Sequence, residues 1–220
     1  MTAEEMAYGD SLTAGCYGWC NLFVPYAESL VAALLPDVLV EVWVCGLSGM
    51  TAEEMANGVD SQTLEDVVGR EGKGIRKILA EHGPFDAALI MAGTNDLADK
   101  PPAYDVVDNV VIMHRACHKA GVSTIALSVP PSRASQKQGQ YAKLRSQTNI
   151  LLKEWAAKTP VKGRSAGVLS FVDTERLLPY DSESGLWEVD GLHFSRAGSQ
   201  YLGRQLAPVV RPLLCDRPGA

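Results

Sequence analysis

Along this chain, short apolar runs rich in β-branched residues alternate with longer stretches of helical periodicity. Residues 38–44, 87–92, 122–129 and 168–172 read as buried strands, because they are brief, continuous apolar runs bounded by turn residues. Between them, residues 19–35, 61–82, 103–120 and 141–157 repeat apolar positions at helical spacing, and a last helix is expected over 197–214. Gly83-Pro84 should end the second helix and Gly121 the third. Gly69, Gly72 and Gly74 should interrupt the second, and Pro208 should kink the last. This alternation predicts a three-layer α/β/α sandwich around a mostly parallel five-stranded sheet, flavodoxin-like in layout.

The fifth strand should be the first in the chain, ahead of Gly9, and there the pattern is weak. Ala3-Glu4-Glu5-Met6-Ala7-Tyr8 reads as helix, and residues 1–7 are repeated letter for letter at 50–56. The likeness stops there, which excludes a solenoid. The N-terminus is atypical, and an altered or mis-assigned start is one explanation; if so, the innermost strand is compromised and the fold less stable than its relatives.

The 220 residues, 46% of them hydrophobic, suit a single domain spanning 1–220. A net charge of −6 with both signs interspersed provides no basic stripe, so nucleic acid is not an expected partner. No apolar run reaches the roughly 18 residues that cross a bilayer, and Met1-Thr2-Ala3-Glu4-Glu5 is acidic where a signal peptide is basic and then apolar. No membrane insertion and a cytoplasmic location are therefore expected, and a homo-oligomer is allowed. Cys16, Cys20, Cys45, Cys117 and Cys215 are an odd number without a dense framework, which favours reduced thiols, with Cys16 and Cys20 one turn apart on a helix. His114, Cys117 and His118 share a helix face but lack a fourth ligand, so they are read as core, and no metal or organic cofactor is expected.

The chemistry concentrates at the two ends. Gly9-Asp10-Ser11-Leu12 supplies a serine, and Asp190-Gly191-Leu192-His193 supplies a histidine with a carboxylate three residues before it. A serine hydroxyl attacks only when a neighbouring base takes its proton, and that base needs a partner to hold its tautomer. Ser11 is the candidate nucleophile, His193 the base and Asp190 its partner, with Asp173 and Asp96 as alternative carboxylates. Gly49 and Asn95 follow predicted strands, where open parallel sheets place their ligand sites. The N–H groups of Ser11 and Gly49 and the Asn95 amide are the candidate oxyanion donors.

These four blocks, in this order, resemble the SGNH subgroup of the GDSL hydrolases over residues 8 to about 210. Within that family Ser128-Val129-Pro130-Pro131 and Asp190-Gly191-Leu192-His193-Phe194 are similar to the bacterial aryl esterase and perhydrolase branch. The resemblance implies a cofactor-free serine esterase acting on a small-molecule ester, short acyl or aryl, through an acyl-Ser11 intermediate. The alternatives are a carbohydrate O-acetyl esterase, a lysophospholipase or a thioesterase. A rival of another class is a non-catalytic α/β binding domain, such as a coloured flavin binder. Leu12, Met50, Leu97, Pro130, Trp187 and Leu192, each next to one of the four blocks, are the candidate substrate-lining residues. Gly163-Arg164-Ser165-Ala166-Gly167 matches the G-x-S-x-G string, but a strand follows it where that motif requires a helix, so Ser165 is expected to be inert. Gly69 to Gly74 with Lys73 lacks the ending of a phosphate loop.

Overall fold

The computed structural model describes residues 2–35, 37–137, 139–163 and 165–215, the last without its side chain. Met1 of the repeat, Arg164 of the G-x-S-x-G string and the Cys215 thiol therefore lie outside the described residues. Five parallel strands form the central sheet in the spatial order Val40–Gly46, Ala3–Gly9, Ala87–Met91, Ser123–Leu127 and Val168–Val172. Successive side chains of a strand face opposite sides of a sheet, and both sides here are apolar. Met6, Tyr8, Ala88 and Ile90 pack on one face against Met55, Ile78, Val110 and Met113. Ala7, Leu89, Met91 and Ile125 pack on the other against Leu30, Leu34, Leu202 and Leu206. Helices Ala52–Asn57, Ile75–His82, Ala103–Lys119 and Gln140–Lys158 contribute to the first layer, and Tyr26–Leu34 and Arg196–Cys215 to the second.

The first strand is intact, which corrects the helical reading of the N-terminus. Ala3–Gly9 pairs in register with Val40–Gly46 along its length and with Ala87–Met91 from Glu5 onward. The second copy of the same letters, Thr51 to Ala56, is helical. There Thr51 caps the helix, accepting from the Glu54 N–H while the Glu54 carboxylate accepts from the Thr51 N–H. Pairing on two edges outweighs the helical preference of Ala, Glu and Met in one copy, and in the other a capping box works with that preference.

Two predicted helices start late. Cys16–Tyr17 and Leu22–Phe23 form a small antiparallel hairpin whose turn holds Gly18, Trp19 and Cys20 at positive φ, so the helix expected from 19 begins at Tyr26. Leu64–Glu65 and Glu71–Gly72 form a second hairpin, so the helix expected from 61 begins at Ile75. The last helix continues through Pro208 and Pro212 to Cys215. Among the described residues, no helix is long and apolar enough to cross a membrane.

Candidate active site

Ser11 opens the four-residue helix Ser11–Ala14 directly after the first strand. The chain turns there because Gly9 packs against the Met91 carbonyl with no room for a Cβ, and because the Asp10 carboxylate accepts from the Leu12 N–H at 3.0 Å. As first residue of that helix, Ser11 has an N–H without an intrahelical acceptor. Its side chain is nearly buried, and Oγ lies 2.9 Å from His193 Nε2. On the far side of the ring, Nδ1 lies 2.8 Å from Asp190 Oδ2. Asp190 Oδ1 accepts from the Leu192 and His193 N–H groups at 2.8 and 3.0 Å.

Burial pushes the Asp190 carboxyl up, but the bond to His193 and the two N–H groups outweigh it, leaving the group below the ordinary carboxylate range. An ionised carboxylate only accepts, so in the neutral ring the proton belongs on Nδ1, which turns the Nε2 lone pair to the serine hydroxyl. Asp173 and Asp96 are engaged elsewhere: Asp173 caps the helix Thr174–Leu177, and Asp96 accepts from the Ala52 N–H at 2.8 Å.

Gly49 adopts φ +75°, and a Cβ there would collide with Val67. Among the described residues no hydrogen bond engages its N–H. Asn95 Nδ2 donates to the Met50 carbonyl at 2.8 Å, which leaves one amide hydrogen for another acceptor. That bond and Asp96–Ala52 tie the Asn95 and Gly49 blocks together. Asp66, absent from the sequence-based set, fixes the same loop by accepting from the Ser48, Val68 and Arg70 N–H groups.

Residues 7–201 match the GDSL-like lipase/acylhydrolase family. The chain belongs to that family. No curated protein matches the hydrolase in sequence. Its fold is similar to a carbohydrate esterase family 3 protein from Talaromyces cellulolyticus, with TM-score 0.71 and 18% identity over 98% of this chain and 100% of that one. It is also similar to the psychrotrophic esterase EstA from Pseudoalteromonas sp., with TM-score 0.62 and 17% identity over 97% and 99%. A lipase/acylhydrolase from Enterococcus faecalis gives TM-score 0.60 and 19% identity over 96% of each chain.

A cavity of about 440 Å³ opens beside Asn95 and the His193 loop of the hydrolase, lined in part by Thr94, Ser132, Arg133, Tyr141 and Leu192. Of the residues expected to line a pocket, Leu192 lies on this wall. Leu12, Leu97 and Trp187 are instead packed in the core. Trp187 sits under the His193 loop, in ring contact with Phe194 and Tyr180 and donating to the Pro179 carbonyl. Pro130 is buried, its carbonyl accepting from Arg145, and Met50 contributes its carbonyl to Asn95. Arg133, which the sequence reading overlooked, clamps the loop: its N–H donates to the Gly191 carbonyl and its guanidinium to the Val189 carbonyl, both at 2.7 Å.

Cys16 and Cys20 lie on the first hairpin and its turn, not on a helix, and are joined as a disulfide; this corrects the expectation of reduced thiols for that pair. Cys45 and Cys117 are free and buried. His114 and His118 both reach the Thr124 hydroxyl, at 2.8 and 2.9 Å, and burial drives His114 down to about 3. Ser165 lies exposed before the last strand, and Lys73 pairs with Glu81.

Proposed function

We propose that this hydrolase is a serine esterase that cleaves small carboxylic esters through an acyl-Ser11 intermediate. The observation that carries this reading is the continuous relay from Ser11 Oγ through the His193 ring to Asp190. As Ser11 attacks the ester carbonyl, His193 Nε2 takes the hydroxyl proton and Asp190 stabilises the imidazolium. The carbonyl oxygen becomes an oxyanion, for which the N–H groups of Ser11 and Gly49 and the free Asn95 amide hydrogen are the proposed donors. Collapse expels the alcohol, which takes the proton from His193. Water then repeats the sequence on the acyl-enzyme.

The cavity beside the relay supports short acyl or aryl groups. Its wall combines the polar ends of Thr94, Asn95, Ser132 and Arg133 with apolar surface from Ala98, Ala134, Tyr141 and Leu192, enough for a small group, whereas a fatty chain needs sustained apolar lining at about 0.8 kcal/mol per buried CH₂. Such an opening would also let an alcohol or peroxide compete with water for the acyl-enzyme, as in the perhydrolase branch. The hydroxyl, amide and guanidinium groups on this wall support a second reading, an O-acetylated carbohydrate, in keeping with the name of the Talaromyces structure. The test is a series of p-nitrophenyl esters from acetyl to dodecanoyl, with acetylated sugars alongside, on the wild type and Ser11→Ala. Falling kcat/KM beyond butyryl, and loss of turnover in the variant, support the proposal. A steady rise toward dodecanoyl would favour a lysophospholipase or thioesterase instead.

A further inference from the structure

Cys16 and Cys20 have no part in the proposed reaction, yet their sulfurs stand beside its base. Cys20 Sγ lies 4.0 Å from His193 Nε2, the nitrogen that faces Ser11. Ligand atoms of Cys16, Cys20 and His193 all fall within 4.8 Å of one another, and among the described residues no other trio of potential metal ligands converges so closely. The hairpin carrying the sulfurs is held on both sides. The Gly18 N–H donates to the Glu188 carboxylate, on the same loop as His193, and the Arg70 guanidinium covers the Phe23 ring at 3.9 Å. Cys20 is half-buried, so the trio is reachable from solvent.

Two sulfurs bonded to each other are poor ligands, so the trio changes character with oxidation state. A phosphine reductant supplies two electrons, takes its oxygen from water to become the phosphine oxide, and leaves two thiols. Zinc then displaces the two thiol protons, with Zn–S bonds of about 2.3 Å and a Zn–N bond of about 2.0 Å. Thiolate and imidazole together select zinc, cadmium or cobalt over magnesium and calcium.

We propose that the reduced Cys16–Cys20 pair and His193 Nε2 form a binding site for a thiophilic divalent cation, which silences the enzyme by occupying the lone pair that would accept the Ser11 proton. The silencing rests on His193 being the base; the binding does not. Oxidation to the disulfide removes two of the three ligands and protects activity, so metal sensitivity follows the thiol state.

The experiment is a cobalt titration of the protein reduced with a phosphine, followed by thiolate-to-cobalt absorption in the near ultraviolet and tetrahedral bands in the visible. The expected result is one cobalt per chain, displaced by zinc, in the reduced wild type, and none in the oxidised protein or in folded Cys20→Ser. Cys16→Ser replaces that variant if circular dichroism shows it unfolded. Zinc should then lower ester turnover of the reduced wild type by about tenfold or more, reversibly with EDTA. Cys20→Ser, compared with its own metal-free rate, should change less than about twofold. Equal cobalt spectra in wild type and variant, or none in either, would overturn the site. A zinc-loaded wild type that turns over at full rate would overturn the silencing. If no ester is hydrolysed at all, the esterase reading fails while the cobalt spectra still decide the site.

Discussion

Asp190 holds His193 twice, with Oδ2 on the ring Nδ1 and Oδ1 on the backbone N–H of the same residue. One carboxylate therefore sets both where the imidazole stands and which nitrogen carries its proton. Asp190→Asn should keep much of the loop, because its amide oxygen still accepts a backbone N–H. A side-chain NH₂ facing Nδ1 would impose the wrong tautomer, and kcat should fall by about 10⁴. Because the wild-type carboxyl lies below its ordinary range, its contribution to stability is present above the unfolded value and is lost as pH falls through the folded one. Denaturation curves at pH 7 and pH 3 should therefore diverge less in Asp190→Asn than in wild type. Equal kcat for the two proteins would remove Asp190 from the relay.

Asn95→Ala removes a donor held by the Met50 carbonyl on the wall of the cavity. An interaction made mainly in the transition state lowers kcat while leaving KM nearly unchanged, here by about 10². Steady-state kinetics on p-nitrophenyl acetate read the split. A rise in KM at constant kcat would make Asn95 a substrate-binding residue.

Asp10 caps the helix that carries Ser11 and is fully buried, and burial pushes its carboxyl up to about 6 against the opposing Leu12 N–H. The folded form thus holds this proton more tightly than the unfolded chain. The associated stability is fully present below the ordinary value of 3.8 and is lost as pH rises through about 6. Asn keeps the cap and cannot ionise. Asp10→Asn should accordingly gain on wild type between pH 4 and pH 8, by an amount on the order of 3 kcal/mol at about 1.4 kcal/mol per pKa unit. Parallel urea curves for the two proteins at both pH values would contradict this.

Thr2 and Thr51 begin identical hexapeptides with different structures. Thr51→Ala breaks a capping box and should cost about 1 kcal/mol. Thr2 precedes a strand and caps nothing, so Thr2→Ala should stay within about 0.5 kcal/mol of wild type. Equal losses in thermal unfolding would mean that the cap contributes nothing.

Legibility from sequence followed how local the determining forces are. Val168–Val172 was found to the residue, because a short apolar run between polar flanks is self-defining. The first strand was misread because Ala, Glu and Met carry no β signal, and its two pairing partners lie far along the chain. The hairpin at Cys16–Phe23 was hidden because consecutive positive φ angles at Trp19 and Cys20 leave no compositional trace. That Ser11, Asp190 and His193 meet was legible because a serine, a carboxylate and a histidine are the residue types a proton relay needs. Leu12 and Trp187 were expected on the cavity wall because they adjoin the candidate catalytic residues in sequence, yet in a turn or loop neighbouring side chains point different ways, and these two point into the core. Asp66 and Arg133 act through backbone groups of distant loops, which no local pattern records.

Ser11 and His193 are separated by 182 positions, and their meeting at 2.9 Å closes almost the whole chain into one loop. During synthesis the serine leaves the ribosome 182 residues ahead of the histidine. If His193 is the base, a polypeptide that stops short of residue 193 holds a hydroxyl without it and should leave esters untouched. On the proposed reading reactivity arrives only when residue 193 has joined the fold, so the onset of labelling at Ser11 should report that closure.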